Sequence, residues 1–154
     1  ASAVEEVLIR PLPFWTDWDP ASEAVHGISR ARLEAEGEAA EIAARRIAEA
    51  LDGALVYTDA PSFDGRWLRR LMNDTGVEAA FRVAPIQSYL IDVSDVHFVP
   101  TGPLDAMLLD KRQRDWIGRV VERVKTTHPR THRAGADVRH YLEVLRLLRA
   151  GPLE

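Results

Sequence analysis

Near the carboxyl end, the segment KTTHPRTHRAGADVRHYLEVLRLL carries His128, His132 and His140 within thirteen residues. His132 stands five places before Asp137, where an apolar helical pattern begins. Five helical residues turn through about 500°, so the two side chains cannot share a face if both lie inside the helix. His132 therefore belongs to the turn leading in, from which an imidazole can reach over a carboxylate that the helix fixes. A second acid, Asp64, stands in YTDAPSFDGRWLRRLM, just after the apolar run ALVYT. The expected helix there is capped by Ser62 and places Asp64 in its first turn, beyond the carboxyl end of a strand, where ligands gather in open α/β sheets. Taken singly, these residues have plain roles: an acid at a helix start answers the helix dipole, and a loop histidine is solvated. Together they offer oxygen ligands for a hard divalent cation and an imidazole to deprotonate water.

The elements that must position them follow from periodicity. VEEVLIRP alternates loosely and ends at a proline, as a strand leaving a sheet does. The stretch LPFWTDWDPASEAVHGISRARLEAEG has no sustained period and reads as a structured loop. Residues 38–51 are alanine-rich, with Ile42, Ile47 and Leu51 near one face of a helix. ALVYT (54–58) reads as a buried strand, and Phe63, Trp67, Leu68 and Leu71 form the stripe of the helix carrying Asp64. Residues 81–93 read as strand interrupted by Pro85. Pro103 marks a helix start, with Trp116, Ile117, Val120, Val121 and Val124 on its face. A last helix over 134–149 is expected to bury Val138, Tyr141, Leu142, Leu145 and Leu148. Alternating strands and helices predict an α/β fold, a mixed sheet flanked by helices, in a single domain over residues 1–154.

Composition narrows the setting. The chain has 154 residues, 46% of them hydrophobic, and no cysteine, so a metal would be held by oxygen or imidazole rather than thiolate. No run is long and apolar enough for a membrane helix and no charged, apolar and small-residue series of the signal-peptide kind is seen, which is compatible with a cytoplasmic protein. The net charge of −4 argues against whole-surface binding of nucleic acid. It is unevenly spread: residues 1–110 hold nine Lys/Arg against nineteen Asp/Glu (−10), and residues 111–149 hold eleven against four (+7). A basic tract of that kind attracts phosphates, although basic residues on amphipathic helices also serve as solvated faces.

YTDAPSFDGRWLRRLM and THRAGADVRHYLEVLRLL resemble the second and third motifs of the DEDDh exonucleases, the ribonuclease H-like family that includes proofreading exonucleases, RNase T and oligoribonuclease. EAVHGISRARLEAEG is similar to that family's His-Gly-Ile loop, and the resemblance spans most of residues 7–149. It implies a ribonuclease H-like fold and hydrolysis at a 3′ end with release of nucleoside 5′-monophosphates. Asp64 and Asp137 match metal-binding aspartates, His132 matches the general base, and His26, Gly27, Ile28 and Arg133 would contact substrate. Two Mg²⁺ or Mn²⁺ ions about 3.5 to 4 Å apart are the implied cofactors. The implied partner is a single-stranded 3′ end, tracked by the basic region Lys111 to Arg133. A homodimer is compatible with the resemblance, and a membrane is not implied.

The sequence departs from the family at its first motif, Asp-x-Glu on the opening strand. Alternation on a strand points that pair the same way, whereas Glu5 and Glu6 are adjacent and would face opposite sides. Asp17 and Asp19 have the spacing but fall in TDWDP, where Asp before Pro is first a turn signal. The strand carrying the acid pair is therefore expected to precede Ala1. Without that pair, the alternative is a catalytically inactive ribonuclease H-like domain that binds nucleic acid or a protein partner.

Overall fold

The computed structural model describes residues 4–152, with backbone alone at 104, 106 and 107. The chain divides into two compact units, the first Glu5–Pro85 and the second built on Ile86–Glu154.

In the first unit, β1 (Leu55–Thr58) pairs in parallel with β2 (Arg82–Pro85), Leu55 opposite Arg82 and Thr58 opposite Pro85. A parallel pair needs a crossover, and α4 (Pro61–Thr75) supplies it. This is the expected α/β pattern, and the paired strands of the described sheet are parallel. Helix α3 (Ala40–Leu51) packs beside α4. Ala40 and Ala44 of α3 meet Leu71 and Met72 of α4, with Ile9, Trp15 and Phe81 closing around them. The small alanines let the two helices approach closely.

Three expectations are corrected here. VEEVLIRP forms no strand: Arg10 N donates to Glu38 O (2.8 Å) and Glu38 N to Leu8 O (2.8 Å), an isolated parallel bridge between Ile9 and Glu38. Pro11 and Pro13 carry no N–H, so the ladder cannot continue. The expected loop contains two short helices, α1 (Pro20–His26) and α2 (Arg30–Glu36). Asp19 caps α1 by accepting from Ala21 N (3.0 Å) and Ser22 N (3.2 Å), with Pro20 at the first helical position, and Ser29 caps α2 through Arg32 N (3.2 Å). Ser62 is not a cap, because α4 begins one residue earlier, at Pro61, after Ala60.

The second unit is helical, and α5 (Ile86–Ser94), α6 (Pro103–Thr127) and α7 (Ala134–Ala150) pack pairwise around Leu90, Trp116, Val124, Val144 and Leu148. A 3₁₀ turn at Asp95–His97 follows α5. The strand expected over 81–93 ends at Pro85, and the apolar run beyond it is α5, buried at Ile86, Leu90 and Ser94. That four-residue spacing is helical. Gln113 closes the polar end of this core, its Nε2 donating to Ser94 Oγ (2.8 Å) and Asp95 Oδ1 (2.6 Å). The face of α7 is also corrected. Leu145 and Leu148 are buried as expected, but Val138 and Leu142 are 45% and 37% exposed, and His140 and Val144 are fully buried. The reason lies in the loop before α7.

Candidate active site

Loop 128–133 is fastened to the first turns of α7 by side chains of that helix. Buried His140 bonds through Nδ1 to the carbonyl oxygen of His128 (2.8 Å), and Asp137 Oδ1 accepts from Thr131 N (3.2 Å). Asp137 also faces Arg130 Nε at 3.9 Å, and the Arg130 guanidinium lies 5.6 Å from the Tyr141 ring centroid. Asp137, His140, Tyr141 and Val144 share one face by helical spacing, so turning that face toward the loop turns Val138 and Leu142 outward.

Between these anchors, His132 is held at φ 54°, the one non-glycine residue at positive φ among those described. The left-handed region costs an L-residue roughly 1 to 2 kcal/mol, and strain of this kind persists only where surrounding contacts over-determine the backbone. His132 is exposed, Asp137 is half-buried, and Arg133 sits at the start of α7, its carbonyl accepting from Asp137 N (2.9 Å). The turn thus frees the imidazole from the helix while the helix holds the carboxylate.

In the first unit, Asp64 lies in the first turn of α4, its N–H donating to Ala60 O (2.9 Å). Its carboxylate Oδ2 accepts from the hydroxyl of Thr58, the last residue of β1. Thr58 Oγ1 also accepts from Ala60 N (3.2 Å), so one hydroxyl joins strand end, turn and carboxylate. His26 ends α1 and Gly27 turns the chain at φ 63°, with Gly27 N donating to Glu23 O (2.7 Å). Ile28 N donates to His26 Nδ1 (3.1 Å), which leaves the proton of the neutral ring on Nε2. Asp19 serves as a helix cap, and its hydrogen bonds from Ser22 and Ala21 hold its carboxyl below the usual range. That employment answers the question of Asp17 and Asp19 as a ligand pair on the Asp19 side.

The contacts of Thr58, Thr131 and Arg130 to the Asp64 and Asp137 carboxylates are not marked by any motif. A threonine ending a strand six residues before an acid was the available signal for Thr58. The other two are fixed only by the loop's tertiary path. In the basic tract, Lys111, Arg112 and Arg114 pair with Asp115, Asp105 and Asp110 respectively.

Among the described residues, no three His, Asp or Glu side chains are grouped so as to cage a metal ion. The donors present at the motif positions are carboxylates, the right chemistry for Mg²⁺, which takes one or two carboxylates and completes its shell with water and substrate phosphate. No helix among the described residues is long and apolar enough to cross a membrane.

No curated protein and no solved structure matches the chain. The family model described as Exonuclease, that of RNase T, matches residues 15–145, a span that takes in His26, Asp64, His132 and Asp137. The chain belongs to the DEDDh exonuclease family, and its α/β fold is of the ribonuclease H-like class.

Proposed function

We propose that this exonuclease-family protein hydrolyses nucleic acid from the 3′ end in a metal-dependent reaction, and that His132 is its general base. The observation that carries the reading is the left-handed backbone of His132, held by loop contacts to Asp137 and His140 in the segment that resembles the family's third motif.

Asp64 and Asp137 would hold Mg²⁺ or Mn²⁺. When bound, such a cation neutralises developing phosphoryl charge and lowers the pKa of a water. His132 accepts the proton of the attacking water, a role that suits an exposed imidazole free to exchange protons with solvent. Thr58 orients Asp64, and Thr131 and Arg130 orient Asp137. Arg133 meets a phosphate, and His26, Gly27 and Ile28 line the terminal nucleotide, where the Nε2–H of His26 is a donor. Arg119 and Arg123, both exposed on α6, belong to the basic tract that would guide a single strand.

The test is a single strand labelled at its 5′ end, incubated with the protein and Mn²⁺. Stepwise shortening with release of mononucleotides is expected, and chelation should stop it. A strand that is bound but never shortened would move the assignment to an inactive nucleic-acid-binding domain.

A further inference from the structure

The first unit contains a cavity of about 280 Å³ whose walls include Trp15, Trp18 and Trp67, with Arg30, Arg70 and Asp17. We propose that this cavity receives an unpaired nucleobase of the bound strand, separately from the hydrolytic groups. The inference rests on the exonuclease reading for the source of the base.

The Arg70 guanidinium is 5.9 Å from the Trp15 ring centroid and 5.4 Å from that of Trp67. Asp74 fixes this arrangement, its Oδ2 accepting from Trp15 Nε1 (2.5 Å) and Arg70 Nε (3.3 Å). Trp18 Nε1 donates to Glu23 Oε2 (2.6 Å). The indole donors of Trp15 and Trp18 are thus satisfied outside the cavity, and what their rings offer inward is π surface. Arg30 is fixed by Trp15 O (2.6 Å) and Glu34 Oε1 (2.8 Å). Walls set in advance spare a ligand the cost of ordering them.

Charge then selects the ligand. Both arginines of the lining are already paired, Arg30 with Glu34 and Arg70 with Asp74, and the remaining charged residue of the lining is Asp17. A phosphate is disfavoured there. A flat neutral ring that stacks on indole and guanidinium, and gives an N–H to the Asp17 carboxylate, suits the lining. The volume lies just below the roughly 300 to 1,000 Å³ of pockets for drug-sized molecules, which suits one ring system rather than a chain. Trp67 is 45% exposed, as a stacking platform must be. It follows Asp64 by three residues on α4, a rise of about 4.5 Å, so a strand engaged at Asp64 has neighbouring bases within reach of the cavity.

The test measures binding in EDTA, so that cleavage plays no part. Its probes are a labelled oligothymidylate of six nucleotides and an abasic strand of the same length. Trp67→Ala should weaken binding of the oligothymidylate by about tenfold, the scale of one stacked base, and leave the abasic strand unchanged. Trp67→Phe should restore most of the loss. Equal effects on both strands, or none, would overturn the proposal, as would a peptide or lipid occupying the cavity without competing with bases. Hydrolysis is scored separately with Mn²⁺. Base-dependent binding through Trp67 without hydrolysis would sink the exonuclease reading and keep this one, whereas hydrolysis with no base-dependent effect of Trp67→Ala would do the reverse.

Discussion

Replacing His132 by glycine should separate stability from activity in opposite directions. At φ 54° the histidine carries a backbone cost that glycine does not, roughly 1 to 2 kcal/mol. Against this, glycine gains freedom in the unfolded chain worth roughly 0.5 to 1 kcal/mol. The imidazole is exposed, so little packing is lost. The balance leaves His132→Gly between about zero and 1.5 kcal/mol more stable than the parent, which for a chain of this size raises Tm by up to about 6 °C. His132→Ala keeps the strain without the side chain and should melt below the glycine variant, by about 1 kcal/mol. Both should lose about 10² to 10⁴ in turnover, the scale of general acid–base catalysis. Thermal unfolding followed by circular dichroism, beside a mononucleotide-release assay, reads both effects. A glycine variant that melts below the alanine variant would refute the strain argument, and full activity in either would remove His132 as the base.

Asp137→Asn keeps an acceptor for Thr131 N and loses the charge facing Arg130, so its stability cost should stay within about 1 kcal/mol. Its turnover should fall at least about 100-fold if the carboxylate holds metal, and unchanged turnover would take Asp137 out of the mechanism. Gly37→Ala should destabilise by roughly 1 to 3 kcal/mol, because a Cβ there would lie 2.3 Å from Leu33 O and 2.5 Å from Arg10 N, both backbone atoms; an unshifted melting temperature would show that the 8–10 segment yields freely. The backbone N–H of Thr101, with its hydroxyl and Arg112, holds the Asp105 carboxyl below its usual range. The stabilisation this gives to the start of α6 is complete above the ordinary carboxylate pKa and is lost as pH falls through the depressed one. A carboxyl NMR titration of Asp105 with a midpoint no lower than that of a free aspartate would contradict this.

The parts of the fold visible in the sequence were those with a sustained period or an unambiguous terminator. The α6 face at Trp116, Val120 and Val124 is an example, as are the Pro103 start and the existence of the ALVYT strand, although that strand is not buried as expected: Leu55 is 40% exposed and the residues after it are half-buried. Helices α1 and α2 were hidden because each is seven residues long and buries none of them, so no apolar stripe marks it. Their caps, Asp19 and Ser29, were the only local sign. Helix α5 was mistaken for strand because a short aliphatic run after Pro85 has no period of its own, and tertiary burial decided it. The face of α7 was misjudged since a histidine, not an aliphatic residue, fills its most buried position near the loop. At the candidate site, Asp64, His132 and Asp137 could be singled out by their places before and at helix starts, but the contacts of Thr58 and Thr131 to the two carboxylates could not. The tryptophan-walled cavity was equally out of view, since some fifty residues separate Trp15 from Trp67 and no pattern links them.

The stitching of loop 128–133 to α7 has a consequence for how the site comes into being. Its fastenings join residues six and twelve apart in sequence, Thr131 to Asp137 and His128 to His140. Contacts that short close with little entropic delay. The conformation of His132 thus depends on contacts local to α7 and its entry loop, and on no pairing of strands.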